Sequence, residues 1–457
     1  MRSLNLSADN RLGYVHSDPI KDDWNHMANT LPDVVDILGV GYGPSNLGLA
    51  IALEERNARV PAGDRLTSMF VERQPGFTWH PGMLLPGATM QISFLKDLAT
   101  QRNTGSEYTF LEYLSQRGRL THFINLQTFF PSRLEFHDYL TWAADKVAAD
   151  VLYGSSATGV AWTGEHFEVT VDTSEGESRT LRSRDVVLAG GLTPKLPAGV
   201  VTGERVFHNH RVLDHLEGLP AIRHQRFVVV GAGQSAAEVL AHLHERYPGA
   251  EVHAVFGKYG YSPADDSPYA NRVFDPEAVD DFYTSSPQLR EQLIAYHRST
   301  NYSAVDLPLI EELYEREYGE RVSGDRRLFV HGASEVSTPR ETGAGVEVSV
   351  HHRPTGRKNT LLCDAVIFAT GFQPLDLRAI LGPLAQDCRF AADGTPEVHR
   401  DYRLRTAENV TGGIYLQGGT EHSHGLTSSL LSNIAVRSGE LVDSLASRAM
   451  LDAVLTR

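Results

Sequence analysis

Two glycine-rich turns limit what this chain can fold into. The first lies in "DILGVGYGPSNLGLA" at 36–50 and the second in "VVVGAGQSAAEVL" at 228–240. In each, an apolar β-branched run meets glycines and then small residues at helical spacing, which reads as strand, tight turn, helix. Glycines there let the backbone approach a pyrophosphate, whose charge sits at the helix N-terminus. One such turn also fits a plain strand-to-helix connection. Two in one chain, each in that context, predict an α/β fold with two Rossmann-like dinucleotide-binding domains.

The turns differ in detail. Gly39, Gly41 and Pro44 hold the three fingerprint positions of the first, with Gly43 between the last two. Proline replaces the last glycine, which a first helical turn tolerates because the missing N–H has no partner there anyway; the expected effect is a looser fit, with phosphate binding kept. Glu72 ends the next strand, "SMFVE", and can accept hydrogen bonds from ribose hydroxyls; the insert "ERNARVPAGDRLT" explains its unusual distance from Gly39. Gly231, Gly233 and Ala236 hold the second fingerprint, with Gln234 and Ser235 at the helix start. No acidic residue ends the following strand "EVHAVF", and Lys258 comes soon after. A missing carboxylate beside a cation favours a 2′-phosphate, hence NADP over NAD. One tightly held flavin and one exchanging nicotinamide would allow hydride to pass between them. The segment "AVIFATGFQP", with Thr370 and Gly371, resembles the point where two-dinucleotide flavoenzymes return to their first domain. The expectation is FAD on the first turn and NADPH on the second.

Composition narrows the class. A chain of 457 residues is too long for one simple core. A net charge of −15 argues against non-specific binding to nucleic acid or an anionic membrane. No apolar run is long enough to span a bilayer, and the polar start lacks the apolar core of a secretory signal. Cys363 and Cys388 are the only cysteines and have no metal-like or redox spacing. A soluble, cytoplasmic, metal-free protein is expected. The pattern divides into an arm at 1–32, a first part of the FAD domain at 33–195, an NADPH domain at 196–360 containing a helical substrate region at 265–320, and a returning FAD part at 361–445. The tail "SSLLSNIAVRSGELVDSLASR" reads as one amphipathic helix.

Disulfide reductases need a redox cysteine pair, which is absent; flavin monooxygenases need none. The segments "GMLLPGATMQISFLKDLATQRN", "FPSRLEFHDYLTWA", "DDSPYANRVFDPE", "TNYSAVD" and "LQGGTEHSHGLTSSLLSNIAVRSGE" resemble those of the N-hydroxylating flavin monooxygenases of siderophore biosynthesis, and among them the L-ornithine N5-monooxygenases. The similarity runs in order from about residue 34 to 445. It implies that NADPH reduces FAD, that O2 adds to give a C4a-hydroperoxyflavin, and that the side-chain amine of ornithine takes the distal oxygen to form N5-hydroxyornithine, a hydroxamate precursor. It also implies a homo-oligomer, commonly a tetramer.

An attacking amine must be neutral. From a lysine-like pKa near 10.4, neutrality at about pH 7.5 costs on the order of 4 kcal/mol, and an adjacent carboxylate raises that cost. By the resemblance, Lys96 would pair with the substrate carboxylate, Asn271 and Asn301 would hold its amino-acid end, and Thr427 would sit nearby, where relatives often carry serine. Asn301 and Gln91 would act next to the reacting centre, with Gln91 close to both flavin and nicotinamide. Trp79, His80, Gly43, Thr370, Gly371 and Leu426 would line the flavin site, and Gln234, Ser235 and Lys258 the NADPH site. Each has a plainer reading: a surface lysine, a turn asparagine, a strand-edge glutamine, a helix cap, a core aromatic. His422 and His424 lack the companions a metal site needs, and His208 and His210 are given no catalytic work.

Lysine or a diamine such as putrescine remain alternatives. A diamine has no carboxylate for Lys96, whereas one methylene separates lysine from ornithine and is worth only about 1–3 kcal/mol in a pocket. An uncoupled NADPH oxidase would consume NADPH without hydroxylated product. A nucleotide-sensing scaffold would carry no flavin.

Overall fold

The computed structural model describes residues 31–455, so the expected arm at 1–32 lies almost wholly outside the described residues. Two large sheets, one mixed and one parallel, organise the rest. In the first, the order runs Asp150–Leu152, Ser68–Val71, Val35–Val40, Ser178–Leu188, Phe167–Thr173, Ser155–Trp162. The long strand Ser178–Leu188 does double duty. Its first half pairs antiparallel with Phe167–Thr173, and its second half pairs parallel with Val35–Val40 and with the late strand Ile414–Leu416. The second sheet is parallel throughout, in the order Leu328–His331, Glu251–Val255, Arg226–Val230, Ala365–Phe368, Val206–His208.

Strands buried on both faces read as continuous apolar runs, because each face meets a different layer. In Val35–Val40, Ile37 enters one core cluster while Leu38 and Val40 enter the other. In Arg226–Val230, Phe227 and Val229 face one cluster and Val228 the other, and Ala365–Phe368 alternates in step with it. Each such side chain contributes about 1.5–3 kcal/mol by leaving water. That burial, more than strand propensity, fixes the register of both sheets.

The chain crosses between the sheets twice, and the crossings lie side by side. Leu192–Pro194 pairs antiparallel with Phe372–Pro374. The expected start of the returning FAD part at 361 is therefore corrected to about 372. Residues 357–363 belong to an antiparallel sheet with Gly345–His352, and Ala365–Phe368 lies in the second parallel sheet. Asp364 causes the break between them. It is fully buried, and its carboxylate accepts the backbone N–H groups of Arg223, His224 and Arg226 at 2.7–3.2 Å.

Two smaller boundaries also move. The strand before Glu72 ends at Val71, and the C-terminal helix starts at Ile434, after two 3-10 turns. The region between Ala278 and Ser323 holds three helices, Ala278–Thr284, Pro287–His297 and Leu307–Ser323. Among the described residues no helix is long and apolar enough to cross a membrane.

Candidate active site

The two glycine turns share one geometry. Gly41 has φ +85°, and a Cβ there would lie 2.5 Å from the carbonyl oxygen of Ala189. Gly231 has φ +146°, and its Cβ would lie 2.3 Å from the carbonyl oxygen of Ala369. Each turn thus presses on the end of the neighbouring strand, where a second glycine, Gly191 or Gly371, also has positive φ. Pro44 and Gln234 open the helices Pro44–Asn57 and Gln234–Arg246, whose N-cap positions are Gly43 and Gly233. Neither helix has an acidic residue in its own first turn, where one would favour itself over a bound anion. Backbone close to the strand, small residues in front and a helix N-terminus are the cradle a dinucleotide pyrophosphate requires. Both turns fit one.

Beneath the first turn lies a polar cluster that the sequence did not disclose. Asn46 Nδ2 donates to the Gly41 carbonyl at 2.6 Å. Gln417 Nε2 donates to Ser45 O at 3.0 Å and to Asn46 Oδ1 at 3.1 Å. Arg437, only 3% exposed, donates to Gln417 Oε1, to the Ser428 carbonyl at 2.7 Å and to Ser45 Oγ. Its partners are thus neutral oxygens, and burial lowers its pKa. A fixed cation below the phosphate turn, tied to the 426–429 turn, complements an anionic cofactor. Glu72 turns its Oε2 onto the Tyr42 N–H at 2.7 Å and its Oε1 onto Gln74 N–H at 2.9 Å, so it braces the turn as well as ending the strand edge.

At the second turn the Gln234 side chain is fully committed. Its amide hydrogens go to Glu238 Oε1 at 3.1 Å and Asp306 Oδ2 at 3.2 Å, and its oxygen accepts the Asp306 N–H at 2.8 Å. With both ends of the side-chain amide engaged within the protein, the expected part of Gln234 in the NADPH site falls to its backbone N–H. Ala236 is fully buried at the third fingerprint position, behind Gln234 and Ser235. Lys258 donates to the Ser303 carbonyl at 2.8 Å and to Ser262 Oγ at 3.3 Å, tying its loop to the 301–306 segment. A second cation, Arg353, reaches the same loop at the Gly257 carbonyl, 2.7 Å.

Contacts link four segments far apart in sequence. Lys96 is half-buried with its ammonium 5.9 Å over the Phe274 ring, in the 3-10 turn Ala270–Phe274 that contains Asn271. Burial draws its pKa below the ordinary lysine value, with Asp275 opposing the shift. The Ala270–Phe274 turn packs on the turn Leu426–Ser429, which holds Leu426 and Thr427. Thr427 is buried, and its hydroxyl donates to the His424 carbonyl at 3.4 Å. Asn271 Nδ2 donates to the Asp266 carbonyl at 2.7 Å, and the half-buried Asn301 precedes Tyr302, whose hydroxyl meets Glu421. Gln91, exposed, reaches Asp306 Oδ1 at 3.5 Å. Burial raises the Asp306 pKa, the Gln91 hydrogen bond lowers it, and the carboxylates of Glu238 and Asp266 raise it again.

Of the aromatics expected to line the flavin site, Trp79 is half-buried and His80 exposed. Trp79 meets His80 edge-on at 5.0 Å and Phe136 at 6.0 Å; His80, at φ 48°, approaches Phe372 of the second crossing at 6.4 Å. Thr370 Oγ1 and Gly371 bind the first crossing through the carbonyl of Lys195 at 2.5 Å and its N–H at 2.9 Å. The histidines set aside by the sequence serve the backbone. His422 and His424 pair with the carbonyls of Pro396 and Arg400, and His208 with that of Gly371.

Known proteins resemble this arrangement. The family model for L-lysine 6-monooxygenase/L-ornithine 5-monooxygenase matches residues 33–374. The L-ornithine N(5)-monooxygenase of Burkholderia cepacia is 41% identical over 404 residues, covering 86% of this chain and 90% of the relative. The ornithine N-hydroxylase of Kutzneria sp. 744, in a complex with reduced FAD, NADP+ and L-ornithine, superposes with a TM-score of 0.86 at 45% identity, covering 91% of this chain and 100% of the other. The L-lysine 6-monooxygenase of Pseudomonas syringae gives a TM-score of 0.79 at 31% identity, covering 91% and 99%.

Proposed function

The chain belongs to the L-lysine 6-monooxygenase/L-ornithine 5-monooxygenase family, and from that premise we propose that it converts L-ornithine to N5-hydroxy-L-ornithine. It is an FAD- and NADPH-dependent monooxygenase. Amine, O2, NADPH and a proton give hydroxylamine, NADP+ and water. Bound FAD, reduced by NADPH, supplies the activated oxygen atom.

The protein's share is to hold the groups and keep charge away from the reacting nitrogen. Gly39, Gly41, Gly43 and Pro44 form the FAD phosphate turn, with Arg437 as the buried cation below it. Gly231, Gly233, Ser235 and the Gln234 backbone form the NADPH turn, with Lys258 and Arg353 beside the loop that would take the 2′-phosphate. Lys96 pairs with the substrate carboxylate, which leaves the far amine among neutral groups. The nearby carboxylates are already engaged: Asp306 by two glutamine amides, Glu421 by the Tyr302 hydroxyl. A free carboxylate there would hold the amine as ammonium, so their engagement lowers the cost of the neutral nucleophile. Asn271 and Asn301 offer uncharged hydrogen-bonding groups, as that nucleophile needs.

The observation that carries ornithine over lysine is the 45% identity to an ornithine N-hydroxylase, against 31% to a lysine enzyme. The test is an amine panel of ornithine, lysine, putrescine and cadaverine, scored by hydroxylamine formed. Ornithine is expected to give the highest kcat/KM. Equal turnover of putrescine would remove Lys96 from substrate recognition. The reading also includes a cytoplasmic homotetramer, a mass that light scattering on the FAD-loaded protein measures directly.

A further inference from the structure

Asp306 precedes the helix Leu307–Ser323 at its N-cap position, and aspartate is among the best residues for capping. Its carboxylate does not cap that helix. Instead, Oδ2 receives Gln234 at 3.2 Å and Oδ1 receives Gln91 at 3.5 Å. Gln234 opens the helix of the second glycine turn, while Gln91 belongs to the segment leading to Lys96 in the first unit. The Gln234 oxygen takes the Asp306 N–H at 2.8 Å, so this amide is held at both ends and its orientation is fixed by its partners.

Glu238, one helical turn beyond Gln234, accepts the second amide hydrogen of Gln234 at 3.1 Å. It also closes a two-point ion pair with Arg133 of the first unit, both contacts at 2.8 Å. Glu238 and Arg133 are nearly buried, with side chains 5% and 13% exposed. Arg133 in turn donates to the Met83 carbonyl at 3.2 Å. A chain of charge-assisted contacts therefore runs from Gln91 through Asp306, Gln234 and Glu238 to Arg133, starting and ending in the first unit and passing through the second.

We infer that Asp306 is a positioning residue: it locks the N-terminal turn of the NADPH-binding helix to the flavin-side Gln91, and so sets where the nicotinamide end of the dinucleotide lies. This rests on reading the second turn as the NADPH site. A carboxylate can do this and a capping amide cannot, because it accepts from both glutamines at once. In Asp306→Asn the side-chain oxygen can still accept from one glutamine, but the NH2 group faces the amide hydrogens of the other.

The test uses Asp306→Asn and Gln91→Ala in the FAD-loaded full chain. Because the Asp306 side chain makes no cap to its own helix, the exchange leaves that helix intact, and the thermal midpoint is expected to stay within about 3 °C. NADP+ affinity, measured by calorimetry on the oxidised protein, is expected to fall about tenfold or more, the worth of one hydrogen bond to a charged group. Flavin bleaching by NADPH should slow along with it, while ornithine affinity changes less than about threefold by the same measure. The double variant should lose no more than the worse single one, since both cut the same link. NADP+ affinity within about twofold of the unmutated protein, or losses that multiply in the double variant, would overturn the inference. An unmutated protein that binds no NADP+ would overturn the dinucleotide reading together with it; normal binding in both proteins would overturn the inference alone.

Discussion

In the proposed reading, substrate choice turns on Lys96. A half-buried ammonium with a ring on one side and no ion-pair partner among the described residues is poised for a carboxylate. Lys96→Ala should raise the ornithine KM about tenfold or more, the loss of a charge-assisted contact, and leave the NADPH KM within about twofold. Steady-state kinetics with each substrate varied in turn decides it; equal shifts in both would take Lys96 out of the amine site. Buried histidines give a second residue-scale prediction. Burial pushes His208 and His424 down to about 4, far below the usual histidine value. Between about pH 6.5 and pH 4 the unfolded chain binds protons that the folded chain refuses, so stability falls as pH drops through that window. Each such histidine adds a slope of about 1.4 kcal/mol per pH unit. The urea midpoint should therefore be lower at pH 5 than at pH 7, with His424→Asn flattening the change. A midpoint that does not move contradicts the assignment. Single residues were also where the sequence was least legible. Asp306 sits in the quoted "TNYSAVD" but looks like a helix cap, and Arg437 in "AVRSGE" looks like one more charged position on an amphipathic helix. Their roles come from partners distant in sequence.

Elements were far more legible. Both glycine turns, the first strand and the helix after each turn follow from local chemistry, because a positive φ or a carbonyl 2.3–2.5 Å from the missing Cβ admits only glycine. Gly231→Ala should therefore cost about 1–3 kcal/mol in backbone strain and further stability through the clash with Ala369. NADP+ affinity should drop while FAD stays bound, and Gly41→Ala should reverse that pattern. Retention of both nucleotides in both variants would contradict the assignment of the turns. The return crossing was misjudged for a definable reason. "LLCDAVIFATG" is one apolar run to the eye, yet Asp364 splits it between two sheets by gathering three backbone N–H groups. A lone aspartate in a strand pattern does not announce that it will be satisfied from another loop.

At the scale of the whole molecule the seam between the units matters most. The Arg133–Glu238 pair is nearly out of water and spans it. Removing one partner leaves a buried charge alone, which costs about 3–5 kcal/mol, whereas replacing both with apolar residues of similar volume is often neutral. Arg133→Met should therefore lower the denaturation midpoint more than the double change with Glu238→Leu; additive losses would show that the pair is not coupled. The general plan of two Rossmann-like nucleotide units could be read in advance, because the turns repeat and the quoted segments hold their order. How the units face one another could not, since it depends on contacts such as this pair. The central claim is that both turns serve one coupled N-hydroxylation. Its most direct measurement is the ratio of N5-hydroxyornithine formed to NADPH consumed by the FAD-loaded protein. The account predicts a ratio close to one with ornithine, and slow NADPH loss in its absence. Steady NADPH consumption with ornithine present but no hydroxylated product would contradict it.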